Sequence, residues 1–138
     1  MPNGIDLILA DHRRVHELFS QFAETHDGTL IGQVVDALHA HDGAEHAALY
    51  PLVEGLLHDD ELAERLAAAN SHIKKQIDLL VTLEGSPLID AFLRLQTLVA
   101  DHVNDEEKHV LPVLRERATP QQLETLGARI SQAKQRVG

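Results

Sequence analysis

HAHDGAEHAALYP, residues 39–51, decides how this chain folds. It lies inside what reads as one long amphipathic helix. Yet it sets histidines, a carboxylate and a glycine where a bundle would bury Leu and Ala. The apolar line through it runs Val34, Leu38, His41, Glu45, Ala48 and Leu52, in steps of three and four that mark one helix face. His41 and Glu45 are one turn apart on that face, so both side chains enter the same interior. A bare carboxylate among leucines is costly to bury, and buried charge persists where it is paired or coordinated.

The pattern repeats. Residues 41–51 overlay 102–112 at an offset of 61 positions, matching His41 with His102, Glu45 with Glu106 and Pro51 with Pro112. DHRRVHELF (11–19) overlays SHIKKQIDL (71–79) at an offset of 60, matching His12 with His72. The chain therefore reads as two helical hairpins, each carrying His and then His-x-x-x-Glu. That symmetry suits a centre with two metal ions.

Punctuation places these motifs on helices. The first helix runs from about Asp6 to Thr25 and stops at HDG, with Gly28 as its terminator. The second starts near Thr29 and continues to about Leu57. Asp59 or Asp60 caps a third that ends at Gly85. Ser86 caps the fourth, with Pro87 in its first turn. Thr119 and Gln122 have capping-box spacing, and Pro120 opens a fifth helix over about 120–136. Short loops make consecutive helices antiparallel. The expectation is an all-α, up-down four-helix bundle over about 6–117 with an additional C-terminal helix, in a single domain of 138 residues.

Axial arithmetic brings the motifs to one level. At about 1.5 Å per residue, His12, His41, Glu45, His72, His102 and Glu106 all lie roughly 20–26 Å from their flanking turns. Unrelated core histidines have no reason to agree in this way.

Composition narrows the chemistry. With no cysteine there are no disulfides and no thiolate metal sites. Any metal is held by imidazole and carboxylate, which suits iron, manganese or zinc. The net charge of −10 disfavours nucleic-acid backbones. No apolar run of membrane-spanning length and no secretory leader is visible, so the expectation is a cytoplasmic protein without membrane association, either monomer or homodimer.

His12, then His41-x-x-x-Glu45, then His72, then His102-x-x-x-Glu106 resembles the hemerythrin-like (HHE cation-binding) domain family. ALYPLV and HVLPVLRE are similar to the segments that follow that family's ligand motifs. The resemblance covers about residues 6–117 and implies a four-helix bundle holding two non-haem iron ions, oxo- or hydroxo-bridged. The six residues named would be the metal ligands. Family members carry dioxygen, sense oxygen or redox state, handle iron or nitric oxide, or decompose peroxide. The oxygen carriers resemble this plan but have a second histidine one turn on in the third helix. Here that position is Gln76, the extra histidine is His16 on the first helix, and the last carboxylate is four residues from its histidine rather than five. The asymmetric ligation that reversible carriage needs is not supplied. The reading is therefore a peroxide-consuming, catalase-like oxidoreductase. The alternative is reversible binding or sensing of dioxygen or nitric oxide, or iron handling, without turnover.

Other residues have plainer readings beside the functional ones. His16 is an added ligand or an exposed residue. His109 continues the buried line of the fourth helix and reads as a hydrogen-bonded neighbour of the ligands. Tyr50 points away from His41 on an ideal helix and reads as a packing residue with its hydroxyl at the rim. Distortion at Pro51 would turn it inward as a phenolate ligand or redox group. Glu107, His26, His39, His46 and His58 read as peripheral.

Overall fold

The structure, a computed structural model, describes residues 3–137, with side chains described through residue 135. The helices are α1 (Gly4–Thr25), α2 (Thr29–Ala44), α3 (Tyr50–Leu57), α4 (Asp60–Leu80), α5 (Gly85–Asp105), α6 (Leu111–Arg117) and α7 (Pro120–Val137). Two π-helical turns, π1 (Glu45–Leu49) and π2 (Glu106–Val110), join α2 to α3 and α5 to α6 as continuous rods. The bundle thus has four rods: α1, α2–π1–α3, α4 and α5–π2–α6. They run alternately up and down, and α7 packs against α1, α2 and π1.

Local chemistry sets most of the ends. Asp59 Oδ1 accepts from Leu62 N at 3.0 Å and starts α4. Thr119 and Gln122 exchange the two bonds of a capping box, at 2.8 and 3.1 Å, and start α7. Three ends differ from the sequence expectation. Gly28 does not close α1. His26 does, in the left-handed conformation (φ 52°), with its N–H on Phe22 O. The third helix stops at Leu80, before Gly85. Gly85 instead opens α5 with φ 63°, a left-handed conformation that glycine adopts at no steric cost, and Glu84 rather than Ser86 is the N-cap.

The π turns are the main departure from an ideal bundle. Each begins at a glutamate of the repeated motif and ends two positions before a proline. Tyr50 N–H bonds Glu45 O, and Leu111 N–H bonds Glu106 O. In an unbroken α-helix, Pro51 and Pro112 would press their rings against the carbonyls of Ala47 and Lys108. The wider turn relieves that clash. It also inserts one residue and rotates everything downstream by about a quarter turn.

Apolar packing forms two clusters. One gathers Val15, Phe19 and Phe22 of α1, Val34 and Leu38 of α2, Ile73 and Ile77 of α4, and Phe92, Leu95 and Val99 of α5. The other gathers Ile5, Ile8, Leu49, Val53, Leu62, Leu66, Val110, Leu114 and, from α7, Leu123, Leu126 and Ile130. Gly4 is what lets α1 meet α7, because a Cβ there would lie 2.2 Å from Leu126 Cγ. Between the clusters each rod contributes polar residues: His12, then His41 and Glu45, then Asn70, then His102 and Glu106, all buried.

Candidate metal centre

The polar layer is a closed belt. Glu45 Oε1 lies 3.3 Å from His41 Nε2 and 3.6 Å from His102 Nε2. Glu106 lies 3.3 Å from His102 Nε2 and 3.2 Å from His12 Nε2. The His12 and His41 rings meet edge to face at 5.0 Å and complete the circle. Both carboxylates are almost fully enclosed, at 2 % and 0 % exposure.

These atoms are placed for something other than each other. Among the described residues, the Nε2 atoms of His12, His41 and His102, Glu45 Oε2 and both Glu106 oxygens are buried without a hydrogen-bond partner. Ligand atoms of His12, His41, Glu45 and Glu106 all lie within 4.8 Å of one another. A first-row cation with bonds of about 2.1 Å holds adjacent donors roughly 3 Å apart and opposite donors roughly 4.2 Å apart. The N···O distances of the belt fit adjacent donors on a shared ion better than hydrogen bonds. Leaving so many buried polar atoms unpaired is costly, and a cation removes the cost. The donor set of imidazole and carboxylate fits a metal ion.

The outer atoms of the belt are fixed as a metal site needs. His12 Nδ1–H donates to Glu107 Oε2 at 2.8 Å, and His41 Nδ1–H donates to Asp11 Oδ2 at 3.0 Å. Holding the proton on Nδ1 leaves each Nε2 lone pair directed inward. Tyr50 O–H donates to Glu45 Oε1 at 3.3 Å and accepts from Asn70 Nδ2. With protons instead of a cation, the belt is electrostatically crowded. Burial alone would lower His102, but its contacts with Glu106 and Glu45 push it up to about 10. His41 is likewise raised well above its ordinary value against burial, by Glu45 and Asp11. Burial and the charge of Glu45 raise Glu106, and burial and both glutamates raise Tyr50.

Of the six residues singled out as ligands, five meet in this belt and His72 does not. His72 is exposed, and the buried residues of α4 are Leu62, Leu66, Asn70, Ile73, Gln76, Ile77 and Leu80. Matching SHIKKQ to DHRRVH sets α4 two residues out of register, so the residue that reaches the belt's level is Asn70. Gln76 is buried but remote, donating to Ala91 O at 2.9 Å. His109 is exposed, because π2 turns Val110 and Leu114 inward in place of His109 and Val113. His16 is exposed beside a groove. Tyr50 goes the other way, since π1 brings it onto Glu45. Glu107 is not merely solvated, since it holds His12. Asn70 was missed altogether, although the line Leu62, Leu66, Asn70, Ile73, Ile77 is visible in the sequence.

Two spaces adjoin the belt. A cavity of about 30 Å³ lies between His12, His41, His102 and Asn70 on one side and Val15, Leu38, Ile73 and Val99 on the other. A groove of about 810 Å³ between α1 and α5 reaches His12 and Glu107 from the surface. Among the described residues, no helix is long and apolar enough to cross a membrane.

Comparison with known proteins agrees with this geometry. The chain is similar in structure to a hemerythrin HHE cation-binding domain-containing protein from Mycobacterium kansasii. That match has a TM-score of 0.85 at 19 % identity and covers 99 % of this chain and 88 % of that one. In sequence it is 28 % identical over 138 residues to a protein of Nostoc sp. named DNA nickase. The match takes in 96 % of this chain and 39 % of the cyanobacterial protein, so the chain spans about two fifths of that relative's length. The hemerythrin HHE cation binding domain matches residues 3–114, which takes in all four rods except the last turn of α6. With that match over most of its length and the belt of imidazoles and carboxylates at its middle, the chain belongs to the hemerythrin HHE cation-binding domain family.

Proposed function

We propose that the belt holds two non-haem iron ions and that the loaded domain decomposes hydrogen peroxide. The observation that carries this reading is the set of buried, unpartnered donors of His12, His41, His102, Glu45 and Glu106 facing one another. The imidazoles of His12, His41 and His102 and the carboxylates of Glu45 and Glu106 would hold the ions, with the Tyr50 hydroxyl hydrogen-bonded to Glu45 beside them. Iron, when bound, supplies a redox couple able to take two electrons from one peroxide and return them to another, so that two H₂O₂ become O₂ and two H₂O.

The chain's own residues do the rest. Glu107 and Asp11 keep the His12 and His41 protons on Nδ1. Asn70 orients the Tyr50 hydroxyl, which keeps a proton beside Glu45 Oε1. Val15, Leu38, Ile73 and Val99 wall a cavity with room for only a few heavy atoms, which selects peroxide, dioxygen or nitric oxide over organic substrates. The groove between α1 and α5 is the route in. DNA nicking does not carry over to this domain in our reading, because its charge of −10 repels a phosphate backbone.

The test is oxygen release on adding hydrogen peroxide to purified, iron-loaded protein. His102→Ala should lose iron and oxygen release together. Equal activity in a metal-free His102→Ala variant would overturn the proposal. A spectrum that cycles between oxygen and argon, without oxygen release from peroxide, would favour a carrier or sensor. One zinc and no iron per chain would favour a structural site.

A further inference from the structure

α7 lies beyond the residues matched by the family, yet one of its side chains reaches the belt's support. Its inward line is Leu123, Leu126 and Ile130, all buried in the core. One turn on, Ala133 continues that line against the core, and Lys134 beside it carries a charge at the edge of the same face. Lys134 Nζ donates to Asp11 Oδ1, and the other oxygen of the same carboxylate accepts from His41 Nδ1. Both partners are partly enclosed, at 32 % and 21 % side-chain exposure. Asp11 is thus held at both oxygens, one by a candidate metal ligand and one by the C-terminal helix. Gly4 against Leu126 and the capping box at Thr119 and Gln122 fix the axial position of α7 that makes this possible.

We infer that Lys134 is a positioning residue for the metal centre, acting through Asp11 on His41. The inference rests on the metal-binding reading above. With only one partner, a partly exposed carboxylate swings between His41 and water. Tied to Lys134, it presents Oδ2 to the imidazole continuously, and His41 keeps its Nε2 lone pair toward the belt. Loss of such an outer partner typically weakens metal retention by about 10–100-fold. Because Asp11 itself remains in a Lys134 variant, the lower end of that range applies.

The experiment measures loss of ferrous iron to a chelator, together with melting of the metal-free protein, in the chain of residues 1–138. Lys134→Met should speed iron loss about tenfold, with the apo melting temperature nearly unchanged, and Lys134→Arg should restore slow loss. Asp11→Asn should speed iron loss at least as much. The double variant should match Asp11→Asn alone, since Lys134 acts only through Asp11. Unchanged iron loss in Lys134→Met, or additive effects in the double variant, would overturn the inference. If Lys134→Met fails to fold, Lys134→Gln and the Arg variant give the same comparison. Absence of iron uptake by the unaltered chain would instead refute the metal-binding reading itself.

Discussion

Replacing Glu106 by Met separates a metal site from a structural polar core through the sign of its effect. Glu106 is fully enclosed, and neither of its oxygens has a hydrogen-bond partner among the described residues. Burial and the neighbouring Glu45 both oppose its ionisation. Methionine has similar length and no polar atom to bury. Exchanging a whole buried ionic pair for apolar groups of like volume is commonly neutral or stabilising by about 1–4 kcal/mol, whereas removing one partner alone costs about 3–5 kcal/mol where it leaves a buried charge uncompensated. Here His12 and His102 lose a neighbour at 3.2 and 3.3 Å, but His12 keeps Glu107, His102 keeps Glu45, and the repulsion between Glu45 and Glu106 is relieved. The expected net effect on the metal-free protein is a small stabilisation of about 1 kcal/mol, or roughly 3–5 °C in melting temperature for a domain of this size. Ferrous iron at a hundredfold excess over its dissociation constant should add about 2.7 kcal/mol to the unaltered protein and much less to the variant. Calorimetry or circular dichroism under argon, with and without iron, should therefore show the order of stability reverse. A metal-free variant less stable than the unaltered protein by more than about 1 kcal/mol would refute the reasoning. So would an equal response of both proteins to iron.

Three further outcomes are expected. His72→Ala and His109→Ala, both at exposed positions, should shift stability by less than about 0.5 kcal/mol and keep full iron content, whereas His12→Ala should lose iron on metal analysis. Phe92→Ala removes a ring that touches Phe19 and Phe22 at 5.0 and 4.7 Å, which should cost about 3–5 kcal/mol in urea unfolding while iron stoichiometry holds in the folded fraction. Finally, His102 is raised in the folded chain from its ordinary 6.5 to about 10, so the stability it confers is complete below pH 6.5 and is lost as pH climbs toward 10. The melting temperature of the metal-free protein should fall across that window. Iron affinity should rise across it as protons cease to compete, and an apo melting temperature that rises instead would contradict the assignment.

The bundle was legible because Leu, Val and Phe recur at helical spacing and because His26-Asp27-Gly28, Asp59 and Thr119-Pro120 mark the ends. Five belt residues were legible because His41-x-x-x-Glu45 and His102-x-x-x-Glu106 fall on apolar lines and share a level with His12. What was not legible follows from register. The π turns rotate the chain after each glutamate, and nothing in an ideal 3.6-residue repeat anticipates them. They carry Tyr50 to Glu45 and His109 to the surface. His72 was misplaced for a different reason. The internal repeat aligned it with His12, but α4 buries Leu66, Asn70 and Ile73, and a residue two places after Asn70 faces away. Lys134 carried no signal of its own, because its partner Asp11 lies 123 residues away and only the fold joins them.

The most direct measurement is the crystal structure of the iron-loaded chain with anomalous data collected at the iron edge. The account requires two iron peaks inside the belt, bonded to His12, His41, His102, Glu45 and Glu106, with His72 in solvent. Iron elsewhere, or a belt whose histidines and glutamates bond only one another, would contradict it.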